Sequence, residues 1–182
     1  VNMESTIGAS FMTKIYDQIK YEIWDTAGQE RYLSLVQLYY RNAGLILLVF
    51  DMDKPETMDR FTYYLDKITA DLSHEYRVIV IGNKYDLVNH DQLKRIDFDV
   101  RKKLGSYEEL KHKTDFVYIS TKTGFNFDKL IDKIKEYGSI LITIKPKTLS
   151  VEKNLIQLTS HIINNSEDAF DPVKTGKQYC YC

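Results

Sequence analysis

Two short strings carry residue types that can do phosphate and base chemistry, and their order along the chain restricts what that chemistry is. Trp24-Asp25-Thr26-Ala27-Gly28-Gln29-Glu30 follows directly on a short alternating run. A carboxylate at a strand end can hold Mg2+ through water, and a glycine at position 28 lets a backbone N–H approach a phosphate closely. Gln29 can then orient an attacking water. Asp-x-x-Gly alone reads as a polar strand-to-loop corner. Asn83-Lys84-Tyr85-Asp86 follows a second apolar run. A carboxylate at Asp86 can accept paired hydrogen bonds from the N1–H and 2-amino group of guanine, a donor pair adenine lacks. The Lys84 stem can cover one face of a base, and Asn83 can tie neighbouring loops together. Taken alone, this string is equally a turn.

These residues need elements to position them. Residues 9–15 and 20–24 alternate around Tyr16-Asp17-Gln18-Ile19, the pattern of a β-hairpin. Residues 45–50, 78–81 and 116–119 are continuous apolar runs, as strands covered on both faces require. Between them, residues 55–72 open on Pro55 and space Met58, Phe61, Leu65, Ile68 and Leu72 at helical intervals. Residues 125–142 set Phe127, Leu130, Ile131, Ile134, Ile140 and Leu141 on one broad face, and the charged stretch 94–110 reads as a third helix. Strands alternating with helices predict an open α/β sheet with its site at the carboxyl ends of the strands. Residues 155–163 are compatible with a short amphipathic helix, and 164–181 read as disordered.

Composition narrows the class. Hydrophobic residues make up 43% and charged residues 28%, and the net charge of −1 offers no basic footprint for nucleic acid. Both cysteines lie in the last three residues, Cys180-Tyr181-Cys182, so there is neither a disulfide framework nor a cysteine-based zinc site. His74, His90, His112 and His161 show no ligand spacing and read as surface residues.

Taken together, the strings resemble the small Ras-like GTPases. The seven residues from Trp24 to Glu30 resemble the switch II segment of that family, and Asn83-Lys84-Tyr85-Asp86 lies 58 residues beyond Asp25, where the family places its guanine-reading motif. Ser120-Thr121-Lys122 resembles the Ser-Ala-Lys loop whose backbone meets the guanine oxygen, with Thr121 standing where Ala is usual. Glu4-Ser5-Thr6-Ile7-Gly8-Ala9-Ser10-Phe11 resembles switch I, in which Thr6 would ligate Mg2+ and order the loop only with GTP bound. Ile7-Gly8-Ala9-Ser10-Phe11, Lys20-Tyr21-Glu22-Ile23-Trp24, Tyr39-Tyr40-Arg41-Asn42-Ala43 and Leu48-Val49-Phe50-Asp51 resemble the segments that mark the Rab membrane-trafficking family. Glu-Ser-Thr-Ile-Gly-Ala and Glu-Arg-Tyr-x-Ser-Leu look most like its early-endosome branch. The resemblance covers roughly residues 4–142.

It implies a three-layer α/β/α sheet of the P-loop GTPase class over residues 1–144, followed by a hypervariable tail at 145–182. It also implies a GTP-hydrolysing switch with Mg2+ and GTP or GDP as ligands. The nucleotide would meet Gly28, Asn83, Lys84, Asp86, Ser120, Thr121 and Lys122, the metal Thr6 and Asp25, and the attacking water Gln29. Phe11, Trp24 and Tyr39 would form the surface that effectors read; core packing is the plainer use of the same three residues. Cys180 and Cys182 resemble the doubly prenylated ends that anchor Rab proteins to membranes. Implied partners are effectors, an exchange factor, a GTPase-activating protein, a GDP-dissociation inhibitor and the prenylation machinery, at the cytoplasmic face of endosomes or other endomembranes.

One departure is large. No Gly-x-x-x-x-Gly-Lys-Ser/Thr loop occurs in the 182 residues. That loop supplies the backbone N–H cradle and the lysine for the phosphates. The start at Val1, inside what resembles switch I, predicts a domain without its first strand, phosphate loop and first helix. On this reading Asp86 still selects guanine, phosphate affinity collapses, and two strand edges are left unpaired. The same departure supports a second reading: a nucleotide-free, lipid-anchored protein-interaction module on the GTPase fold. The hairpin connection is also a few residues short for the family.

Overall fold

The computed structural model describes residues 8–27, 33–54, 56–144 and 155–162, with residues 33–35 and 155–162 described by backbone alone. Strands β1 (Ala9–Tyr16) and β2 (Ile19–Thr26) form the hairpin that the alternation predicts, paired from Ala9↔Thr26 to Tyr16↔Ile19. Asp17 and Gln18 turn it with φ of 49° and 66°. Two successive left-handed residues make the two-residue turn whose twist matches the flanking strands, which is why so short a connection closes the hairpin. A glutamine there adopts a backbone region that side chains disfavour by about 1–2 kcal/mol.

Helix α1 (Leu33–Tyr40) and strand β3 (Leu45–Asp51) follow, then α2 (Thr57–Asp71) and β4 (Arg77–Asn83). Next come α3 (His90–Leu104), β5 (Thr114–Tyr118) and α4 (Phe127–Ile144). Side chains hold two helix starts. Thr57 donates its hydroxyl to the Lys54 and Asp51 carbonyls at 2.6 and 3.1 Å. Asn89 and Gln92 exchange bonds as a capping box at the head of α3.

The order in the sheet is β1-β2-β6-β3-β4-β5, where β6 is Leu155–Ile162. This overturns the helix expected at 155–163. It also overturns the two unpaired edges: β6 lies parallel to β2 from Lys20↔Leu155 to Thr26↔His161 and parallel to β3 from Leu45↔Leu158 to Val49↔Ile162. A short segment with apolar residues at 155, 156, 158, 162 and 163 carries no decisive period. Two open strand edges supply backbone partners that a helix would leave unmet, and an unmet buried N–H or C=O is costly. The sheet therefore draws its central strand from the stretch that the sequence reading assigned to the tail.

The strands sort their side chains by alternation onto two faces. Ile46, Leu48 and Phe50 of β3 and Val78 and Val80 of β4 pack with Phe61, Leu65 and Ile68 of α2 and Ile96 and Val100 of α3. Leu45 and Leu47, with Ile79 and Ile81, pack on the other face against Leu130, Ile134, Tyr137 and Leu141 of α4, joined by Ile19 and Tyr21 of β2. Helices cover both faces, giving the three layers. Gly82 is fixed by a close approach: a Cβ there would lie 2.8 Å from Met52 Sδ and 3.3 Å from Phe50 Cζ.

Candidate functional site

At the carboxyl end of β4 the chain turns sharply through Lys84, whose φ is 65°, into a single 3-10 turn at Tyr85–Leu87. Asn83 is buried and organises this corner. Its Oδ1 accepts from the Lys84 N–H at 2.8 Å and from the Thr121 N–H at 3.1 Å, and its amide nitrogen donates to Thr121 Oγ1 at 3.3 Å. One side chain thus ties the loop after β4 to the loop after β5. Backbone bonds reinforce the junction, from the Tyr85 N–H to the Ile119 carbonyl at 3.0 Å and from the Ile119 N–H to the Gly82 carbonyl at 2.8 Å.

Asp86 stands on the 3-10 turn. The fully buried Ser120 donates its hydroxyl to Asp86 Oδ1 at 2.6 Å, and Lys122 Nζ lies 3.8 Å from Oδ2. The Ser120 hydroxyl, more than the nearby lysines, holds the Asp86 carboxyl below the ordinary carboxylate range. A carboxylate fixed in orientation, ionised at neutral pH and reachable from solvent can accept two parallel N–H bonds from a planar donor pair.

Sequence reasoning missed two partners here. Asp51, the last residue of β3, pairs with Lys84 Nζ at 2.5 Å and so fixes the lysine across the ends of β3 and β4. Its signal was legible, a lone acid closing the apolar run 45–50. Tyr85 is also stacked between Phe125, at 4.4 Å, and Tyr118, at 5.3 Å, so an aromatic wedge backs the loop. Phe125 closes the loop through a bridge with Ser120, with Gly124 and Asn126 at positive φ. No spacing rule foretells that stack, which needs residues from three segments.

The hairpin side holds a different arrangement. Phe11 and Trp24 face each other across β1 and β2 with ring centroids 4.8 Å apart, and Trp24 stacks on Tyr39 of α1 at 5.3 Å. Phe11 is half exposed. The three aromatics form one continuous surface in addition to packing on each other. Asp25 sits at the end of β2, opposite Ser10. Among the described residues, no group of three or more His, Cys, Asp or Glu side chains is placed to hold a metal ion. Thr6, Gly28, Gln29, Pro55, Cys180 and Cys182 lie outside the described residues. His74, read as a surface residue, has its Nε2 3.0 Å from the Ala43 carbonyl.

The model of the Ras family matches residues 1–137. The chain belongs to the Ras family. Its relatives are Rab-like: it is 34% identical over 139 residues to the GTP-binding protein YPT53 of Saccharomyces cerevisiae, covering 73% of this chain and 62% of that protein. It is 42% identical over 96 residues to the Ras-related protein RabJ of Dictyostelium discoideum, covering 50% of this chain and 38% of that one. Human Ras-related protein Rab-26 is 33% identical over 128 residues, covering 68% and 47%. This Ras-family chain thus spans less than two thirds of the length of these relatives. In fold it is similar to the translation elongation factor SelB of Methanococcus maripaludis in complex with the GTP analogue GppNHp. The TM-score is 0.61 at 24% identity, covering 72% of this chain and 28% of that one.

Proposed function

We propose that this chain is part of a Rab-type molecular switch in vesicle trafficking, and that β3 to β5 with the loops at their carboxyl ends form its guanine-reading half. The observation that carries the reading is the junction at the carboxyl ends of β4 and β5, where Ser120 orients Asp86 and Asn83 locks both loops. Asp86 takes the N1–H and 2-amino group of the base, the stem of Lys84 covers one base face, and the Thr121 and Lys122 backbone lies beside the guanine oxygen. Oxygen donors at Asp25 and Thr6 suit a hard cation such as Mg2+, which when bound to the phosphates would neutralise their charge. Gln29, near Gly28, would place the attacking water. Phe11, Trp24 and Tyr39 offer the apolar surface for an effector. Exchange factor, GTPase-activating protein and GDP-dissociation inhibitor would follow from such a cycle, and Cys180 and Cys182 would carry the lipid that holds the protein at an endosomal or other endomembrane. No helix among the described residues is long and apolar enough to cross a membrane.

A titration of fluorescent GDP with Mg2+ tests this, on the 182-residue chain and on a version given an upstream strand and a Gly-x-x-x-x-Gly-Lys-Ser loop. Weak binding by the first and tight binding by the second is the expected pair. Failure of both to bind any guanine nucleotide would sink the proposal. The Phe11–Trp24–Tyr39 surface, which needs no nucleotide, suits one other reading, the nucleotide-free, lipid-anchored interaction module. It wins if the 182-residue chain is folded and empty yet still binds a Rab effector.

A further inference from the structure

The strand at the centre of the sheet is markedly less apolar than β3 and β4 on one side of it. Strands paired on both sides and covered on both faces are nearly continuous apolar runs, as Leu45–Asp51 and Arg77–Asn83 largely are. Half of β6, Leu-Ile-Gln-Leu-Thr-Ser-His-Ile, is polar: Gln157, Thr159, Ser160 and His161. Polar residues brought into a sheet interior lose part of the stabilisation that an apolar residue gains there. Yet β6 makes the join. β1 pairs only with β2, and β2 reaches the rest of the sheet only through β6 among the described strands. The hairpin that carries Phe11, Trp24 and Asp25 is therefore joined in the sheet to the base-reading half through the last of the described strands. Its other ties are side-chain contacts, such as the Tyr21 hydroxyl donating to the Ile134 carbonyl at 3.4 Å and Trp24 stacking on Tyr39.

The direction of β6 adds a consequence. It runs parallel to β3, and Ile162 pairs with Val49, so the chain leaves the sheet at the end that carries Asp51, Asn83 and Ser120. The six residues that follow, Ile163-Asn164-Asn165-Ser166-Glu167-Asp168, contain no glycine, lysine or arginine. A phosphate cradle needs glycine-rich backbone and a lysine. This strand restores the sheet without bringing such a loop with it.

We propose that the gap between β2 and β3 is a binding site for a parallel, half-polar β-strand, filled in cis by residues 155–162, and that this strand leaves and re-enters without global unfolding. Its release frees the hairpin from the base-reading half, so anything that engages residues 163–182 acts on the Phe11–Trp24 surface through β6. The proposal needs no nucleotide, and its test uses none, so its failure is separable from failure of the guanine-reading role.

Native-state hydrogen exchange on the full 182-residue chain reads it. The 155–162 amides should exchange at least about 100-fold slower than an unstructured chain, yet at least about tenfold faster than those of 45–51 and 77–83. Amides of 20–26 should open together with them. Exchange of 155–162 at unstructured rates would overturn occupancy, and exchange only together with β3 and β4 would overturn release. Gln157→Val should slow exchange across 155–162 by strengthening the apolar run. Gln157→Pro should remove protection from 155–162 and 20–26 while 77–83 and 114–118 stay protected. Should the proline variant fail to fold, the valine variant still decides, and an unchanged rate there counts against the proposal. A concentration-dependent dimer with the same protection would assign the gap to a second copy's strand and overturn filling in cis.

Discussion

The base-reading half, β3 to β5 with its loops, and the hairpin, β1 and β2, are built on different principles. The first rests on strands buried on both faces and on side chains that bond across loops; Asn83, Ser120 and Asp86 each have a hydrogen-bond partner within 3.3 Å. The second rests on a two-residue turn, a cross-strand aromatic pair and a neighbouring strand borrowed from the far end of the chain. β1 is exposed along most of its length, with Ile15 at 71% and Phe11 at 50%. Cross-loop hydrogen bonds are concentrated where, on the proposed reading, a flat base would be held, and exposed apolar surface where a partner would dock. A tight ligand site needs pre-set donors and acceptors, whereas a protein interface draws on apolar area that must be wet beforehand.

The largest effect should come from breaking the core of the base-reading half. Phe61→Ala removes a fully buried ring stacked 6.4 Å from Phe50 and should cost about 3–5 kcal/mol in urea unfolding. The matching truncation in the hairpin half, Ile15→Ala, should stay within about 0.5 kcal/mol because the side chain is largely in water already. Similar losses for both would erase the comparison. Next in size is Asp86→Ala. It should leave folding intact and weaken guanosine by roughly 100-fold in competition titration, with adenosine unaffected. Equal loss for both nucleosides would remove Asp86 from base selection.

Ser120→Ala should weaken the same titration by about tenfold, since it removes one hydrogen bond that orients the carboxylate. It should also raise the Asp86 carboxyl towards the ordinary range. A depressed carboxyl contributes while it is ionised, so base binding should hold from neutral pH down into the mildly acidic range and fall as pH drops through the lowered value. In Ser120→Ala that fall should begin at higher pH.

A separate effect lies at the alkaline limit. Burial raises the phenol of Tyr21 to about 12, and burial with an Asp115 hydrogen bond raises Tyr137 further. The folded state binds protons that the unfolded chain has lost above pH 10, so stability should be flat below pH 10 and decline from there towards 12. Phenolate absorbance and loss of far-ultraviolet signal should rise together. Early phenolate absorbance in a folded protein would show these tyrosines to be wetter than their packing implies.

The two halves also differ in how they could be read beforehand. The position of Asn83–Asp86 and Ser120–Lys122 was legible because each string lies within a few residues after a continuous apolar strand, so local order already places them at one sheet end. The helices over 57–71 and 127–144 were legible from their period. Helix α1, Leu33–Tyr40, went unassigned because Leu-Ser-Leu-Val-Gln-Leu-Tyr-Tyr is short and lacks start and stop residues. Asp51 carried a local signal as the acid closing the apolar run 45–50, but its pairing with Lys84 and the Tyr118–Tyr85–Phe125 stack join residues far apart in sequence.

The sequence by itself determined the alternation of strands and helices, the loops that end β4 and β5, and the residue types that suit guanine. These are local: period, apolar runs and the order of side chains along one backbone suffice. Only the tertiary structure decided the fate of 155–162. That segment carries no decisive period of its own, and its form is set by two strand edges more than a hundred residues away whose N–H and C=O groups it satisfies.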